Sequence, residues 1–231
     1  MRRVLALLCL AAFAVVASGC SGADAAEAQA LLAQSDAAFA QVRSATFMAH
    51  LTMTGGPQEV AMTMRGGGYV RGKRAGDFYM VATADNLPFG ELAVTSKSGR
   101  VSMTLDGSPI ASVPSPPTTG QSPLAVAEFS QYVKDVKVEH GKLIDGEPMA
   151  KISGTIDTAG LAQGLLGDVA GGSGLDLSES LDDTHVVLYI SEATQLPMRC
   201  LIDMGLDVAG QKVEMHLDFA YTSYNKRVEF P

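Results

Sequence analysis

The sequence predicts an α+β fold: one large curved antiparallel β-sheet with helices on one of its faces. Three observations lead there. Most of the chain alternates apolar and polar residues with a period of two, as half-buried strands do. The alternating runs are short and are separated by Gly, Pro and Asn at near-regular spacing, which suits a meander of hairpins. Helical periodicity is confined to three stretches, and most connections are too short for the crossovers that parallel strands need.

The chain opens with Met1-Arg2-Arg3, an apolar run from Val4 to Val16, and Ala17-Ser18-Gly19-Cys20. The apolar run, about a dozen residues, is too short to span a bilayer. A basic start, a short apolar stretch and small residues make a secretory signal. The cysteine that follows makes the segment resemble a bacterial lipobox, with Ala17 where Leu is usual. That resemblance implies cleavage before Cys20 and a diacylglycerol on its thiol. The alternative is an ordinary secreted protein with an incidental cysteine. The predicted organisation is a signal peptide over 1–19, a lipidated tether over 20–26 and a single domain over 27–231.

A helix is predicted from Glu27 to Val42, with Leu31, Leu32, Ser35, Phe39 and Val42 on one face and Asp24 and Glu27 at capping-box spacing. From Ala45 the period becomes two. Phe47, Ala49, Leu51 and Met53 alternate with polar neighbours, followed by strands over 59–65, 77–84, 90–96 and 100–105. Turns are predicted at Gly55-Gly56-Pro57, Gly66-Gly67-Gly68, Asn86-Leu87-Pro88 and Ser98-Gly99. The proline-rich stretch from Pro114 to Pro123 ends the meander, and a short helix is predicted from Pro123 to Val133. A hairpin follows, Val136 to Ile144 and Met149 to Asp157, joined through Asp145-Gly146-Glu147. A third helix is predicted over 158–170 and an acidic, glycine-rich loop over 171–183. Strands at His185–Ile190, Met198–Val208 and Val213–Tyr221 complete the pattern.

Composition narrows the function. Removing residues 1–19 takes Arg2 and Arg3 from the 17 Lys and Arg, leaving 15 against 25 acids, a net charge of −10. Nucleic-acid binding needs clustered cations, so this balance argues against it. Of the three cysteines, Cys9 leaves with the signal and Cys20 is the lipidation candidate. Cys200 then stands alone in an apolar run, where a small buried hydrophobe is expected.

The pattern of the mature chain resembles the mycobacterial lipoproteins of the LppX, LprA, LprF and LprG family, whose fold is akin to the lipoprotein carriers LolA and LolB. Three stretches carry the likeness. The first is the opening helix running into Arg43-Ser44-Ala45-Thr46-Phe47. The second is Ile152-Ser153-Gly154-Thr155-Ile156-Asp157 ahead of Leu161 to Leu166. The third joins Val187–Ile190, Thr194-Gln195-Leu196-Pro197-Met198-Arg199, and Tyr221-Thr222-Ser223-Tyr224 up to Phe230-Pro231. The resemblance implies an open half-barrel with helices packed over the concave face. It also implies that the space between them holds acyl chains of lipids or glycolipids. The implied activity is binding and transfer without chemistry, on the extracytoplasmic side of the cell membrane. An exporter or another envelope protein is then a candidate partner. No cofactor is implied.

Ten methionines remain after Met1, with no Trp in the chain. Met is flexible and polarizable and suits an adaptable apolar wall. Met53, Met62, Met64, Met80 and Met103 fall at alternating strand positions and are the candidate lipid-cavity residues, with Leu161, Leu165 and Leu166 of the third helix. The competing reading is ordinary core filling. Glycines 160, 164 and 167 weaken that helix, which suits either a lid or a marginal surface helix. Arg65, Arg71, Lys73 and Arg74 surround the predicted Gly66–Gly68 turn and are candidates to face headgroups or the membrane; a solvated hairpin tip is the alternative.

Catalytic signals are absent from the sequence. His50, His140, His185 and His216 are widely separated and form no HExxH. Gly171-Gly172-Ser173-Gly174-Leu175 misses the nucleophile elbow at its fifth position. Asp168, Asp176, Glu179, Asp182 and Asp183 lack the spacing of a calcium loop. No metal site and no enzyme activity are therefore expected. A closed structural or sensory module working through protein contacts remains the alternative to a lipid binder.

Overall fold

The computed structural model describes residues 20–56, 59–84, 86, 90–114, 132–156, 184–208 and 211–230. One helix, α1 (Cys20–Phe39), leads into β1 (Ser44–Thr54), β2 (Val60–Tyr69), β3 (Phe78–Ala84), β4 (Glu91–Lys97), β5 (Arg100–Leu105) and β6 (Ser108–Pro114). The second half supplies β7 (Val133–Ile144), β8 (Glu147–Ile156), β9 (Thr184–Ser191), β10 (Pro197–Val208) and β11 (Gln211–Tyr224). The described strands form one sheet in the order β6-β5-β4-β3-β2-β1-β11-β10-β9-β8-β7. All its ladders are antiparallel. β6 and β7 are its free edges, so the sheet is an open half-barrel. The first and last strands meet at its centre, where Ala49 faces Phe219 and Leu51 faces Leu217.

The helix follows from its own spacing. Ala28, Leu32, Ser35, Phe39 and Val42 are all buried, and steps of four and three keep them on one face. That face packs on the core with Ala45, Ala49, Ile152, Val186, Cys200 and Phe219. Phe39 meets the rings of Tyr221 and Tyr224 on β11, at centroid distances of 5.8 and 6.2 Å. Glu27 reaches His140 on β7. The twelve helical steps from Glu27 to Phe39 span about 18 Å, and the four strand spacings from β7 to β11 span about 19 Å. The match means that α1 runs across the strands and carries its first residues past the β7 edge.

The register makes the inner face continuous. A single cross-strand row runs Leu105, Leu92, Ala82, Met64, Ala49, Phe219, Cys200, Leu188, Ile152, Val138, from β5 to β7. Residues directly opposite one another share a face, so this row is apolar throughout. Ala49, Phe219, Cys200, Leu188 and Ile152, on the α1 side, are buried. Burial of the Cys200 thiol pushes its pKa up to about 12, in keeping with the buried hydrophobe expected there.

Four local expectations are corrected. Gly66, Gly67 and Gly68 lie inside β2 and not in a turn, because a side chain there would collide with its neighbours. A Cβ on Gly66 would lie 2.6 Å from the Phe47 ring, and one on Gly68 2.7 Å from the Phe78 Cβ. The turn itself falls beyond Tyr69. Residues 108–113, for which no strand is predicted, and Pro114, expected to open the break in the meander, form the edge strand β6, where Pro109 and Pro114 are tolerated because an edge leaves N–H groups unpaired. Val133 does not end a helix but opens β7, opposite Ile156. The helix α1 starts at Cys20 and not at Glu27, so the segment expected as a tether is its first turns. The rest of the second predicted helix and the whole of the third, with the 171–183 loop, lie outside the described residues.

Candidate functional site

The five candidate methionines occupy one face. Met53 on β1 faces Met215 on β11, which faces Met204 on β10. Met62 faces Leu51, and Met64 faces Ala49. Met80 faces Val94, which faces Met103. All therefore project from the inner face on which α1 packs. Leu161, Leu165 and Leu166 lie outside the described residues.

This half of the inner face differs from the half under α1. Val60, Met62, Met64, Phe78, Met80, Leu92, Val94, Val101, Met103 and Leu105 are all partly exposed. Among them Gly66 leaves room for the Phe47 ring, which stacks on Phe219 at 4.9 Å. The result is a broad apolar surface on β2–β5 bordered by the aromatic cluster of β1 and β11.

Two cavities lie elsewhere. One of about 290 Å³ is lined by Met48, His50, Asp145, Met149, Arg199 and Asp218, among others. Arg199 and Asp218 form a two-point ion pair there through Nε and Nη2, which holds the Asp218 carboxyl below its ordinary pKa. The other cavity, about 310 Å³, lies beside His185, Asp203, Glu214 and His216. His216 Nδ1 is 2.5 Å from Asp203 Oδ1. Among the described residues no group of His, Cys, Asp or Glu is placed to hold a metal ion. Both cavities are edged with charge, and the second also has Met204 and Met215, of the Met53 row, in its lining.

The four basic candidates divide. Arg71, Lys73 and Arg74 sit exposed in the loop between β2 and β3. Arg65 lies mid-strand on the outer face, opposite Val81, and reaches Glu91 at 3.9 Å. The Arg74 guanidinium stacks 4.1 Å from the Tyr69 ring centroid and 5.1 Å from that of Phe230, and its Nε donates to Asp77 at 3.0 Å. Arg74 is thus a structural clamp between the loop and the C-terminal segment.

His140 escaped sequence reasoning because its partners come from distant segments. Its Nε2 is 3.1 Å from Glu27 of α1 and its Nδ1 is 3.2 Å from Glu192, in the turn after β9. These carboxylates, Glu192 first, raise its pKa above the ordinary 6.5. The imidazole links the start of α1 to the sheet.

Comparison with protein-family models and with curated proteins gives no match. Solved structures do match. LprF from Mycobacterium bovis superposes with a TM-score of 0.55 at 17% identity, over 89% of this chain and 96% of its own. The Mycobacterium tuberculosis lipoprotein LppX superposes with a TM-score of 0.50 at 13% identity, over 89% of this chain and 98% of its own. The chain has the fold of LprF and LppX. The superpositions run along nearly the whole length of both, and the open sheet is the half-barrel that the likeness in the sequence implied.

Proposed function

We propose that the protein is a membrane-anchored lipoprotein that binds lipids or other lipophilic molecules on the inner face of its half-barrel and passes them to or from the membrane, without catalysis. One observation carries this reading: Ser96 apart, the inner face of β2–β5 is apolar, and around the buried Gly66, Gly68, Ala82, Ala84 and Ser96 its larger side chains remain partly exposed. Met62, Met64, Met80 and Met103 form its wall, with Met53 at its border, and Leu161, Leu165 and Leu166 are the candidates to complete it. Each buried methylene of an acyl chain would contribute about 0.8 kcal/mol. The shared fold with LppX, itself a lipoprotein, supports the anchoring of this chain through Cys20 on the extracytoplasmic side of the membrane. Among the described residues no helix is long and apolar enough to cross a membrane.

Uptake of a fluorescent acyl probe tests the binding surface. Replacing Met64 and Met80 with Glu should abolish uptake, because a carboxylate in an apolar site must be desolvated or neutralised. Equal uptake by the wild type and this variant would place the ligand elsewhere.

A further inference from the structure

One end of the sheet gathers cations from four separate segments. Arg71, Lys73 and Arg74 stand in the loop after β2. Arg43 precedes β1, and its carbonyl accepts hydrogen bonds from the Val70 and Arg71 amides. Lys97 and Arg100 face each other across the β4–β5 turn, and the Ser98 amide donates to Asp77 of the neighbouring loop. Lys226 and Arg227 follow β11. There Asn225 Oδ1 accepts from the Arg43 amide, the Lys226 carbonyl accepts from Ser44 Oγ, and the Val228 amide donates to the Tyr69 hydroxyl. Lys97 Nζ lies 5.8 Å from the Phe230 ring centroid, on the ring that also carries Arg74. Eight of the 15 Lys and Arg left after Arg2 and Arg3 thus meet at one end. Within these segments the acids are Asp77, already held by Arg74, and Glu229.

The rest of the molecule is strongly acidic, which leaves this end as a local exception. Glu59, Glu91, Asp106, Asp203 and Glu214 lie at or toward the opposite ends of their strands. An eleven-residue strand such as β1 spans about 36 Å, several times the Debye length of about 8 Å at physiological salt. The far acids are therefore screened from anything the basic end touches. On the hairpin half of the same end, Glu192 and Glu147 are bonded to His140 and Ser191, and the exposed Asp145 shares a cavity with Arg199. The helix α1 runs along this end too, since it joins β1 there and Glu27 shares His140 with Glu192. Cys20, its first residue, therefore lies toward the same end as the cations.

We propose that this end, built by Arg43, the 71–74 loop, the 97–100 turn and Lys226–Arg227, is a docking surface for the phosphate headgroups of an anionic phospholipid membrane. The orientation rests on the anchoring of Cys20 proposed above; the electrostatic contact does not. It would stand the half-barrel upright on the leaflet, with its strands near the membrane normal and its acidic end outward.

Every described element starts at or after Cys20, so a chain beginning at residue 20 with Cys20→Ser keeps the fold and removes the acyl anchor. Its flotation with vesicles of phosphatidylcholine alone, and of phosphatidylcholine mixed with phosphatidylglycerol, reads the docking directly. Binding to the mixed vesicles alone, weakening with salt, is expected. Each cation removed should weaken it about fivefold, so Arg71→Gln, Lys73→Gln, Lys226→Gln and Arg227→Gln together should abolish it. Lys134→Gln with Lys137→Gln, toward the opposite end of the edge strand β7, should leave it unchanged. Equal binding to both vesicle types, no binding to either, or equal loss in the two variants would overturn the proposal. Acyl-probe uptake measured on the same proteins separates this outcome from failure of the lipid-binding reading.

Discussion

The Phe47 ring fills the space that a side chain on residue 66 would need, with two ring carbons 2.6 Å from where a Gly66 Cβ would stand. The first of three consecutive glycines is thus explained by its partner on the neighbouring strand β1. The Tyr79 carbonyl lies equally close, at 2.6 Å. Gly66→Ala should therefore destabilise the protein by about 1–3 kcal/mol through overpacking, measured by urea unfolding. Adding Phe47→Ala should not restore the loss, since the backbone carbonyl stays in place. A neutral Gly66→Ala would show that β2 yields freely.

Cys200 is buried and its thiol is pushed up to about 12. A maleimide should therefore leave it unmodified in the native protein at neutral pH and label it rapidly in denaturant. Cys200→Ser should cost about 1–3 kcal/mol by placing a hydroxyl without a partner in the core. Rapid native labelling, read by intact mass, would contradict the packing described for β10.

The His140 clasp makes the attachment of α1 depend on pH. Glu192 and Glu27 raise its folded pKa above 6.5. Its stabilisation is therefore complete below the unfolded value and is lost as pH rises through the folded value. The site is about half exposed, so solvent screening limits the effect to a few tenths of a kcal/mol. Hydrogen exchange of the α1 amides should quicken as the pH rises through that range, after correction for intrinsic rates. His140→Ala should remove this extra dependence. The same profile in both proteins would show that the clasp carries no stability.

Much of the fold was legible because it is local. The α1 face, with Leu32, Ser35, Phe39 and Val42, follows from helical spacing, and the β1 to β5 strands follow from period two. The β7–β8 hairpin follows from Asp145-Gly146, both of which have positive φ. What was hidden is long-range. The pairing of β1 with β11, which joins Ala49 to Phe219, has no local signal. β6 was missed because Pro109 and Pro114 argue against a strand unless it is known to lie at an edge. The candidate methionines could be placed on one strand face, since alternation fixes which residues share a face. The basic end could be seen only in its 71–74 part, because Arg43, Lys97, Arg100, Lys226 and Arg227 come from segments that only the fold brings together.

The central claim is that the exposed apolar inner face holds lipid. The chain beginning at residue 20 with Cys20→Ser, purified from a cell envelope, extracted with organic solvent and read by mass spectrometry, tests it most directly. The account predicts a non-covalent acyl lipid in stoichiometric amount, absent from the Met64→Glu, Met80→Glu variant. An empty protein that also refuses added acyl probes would contradict it.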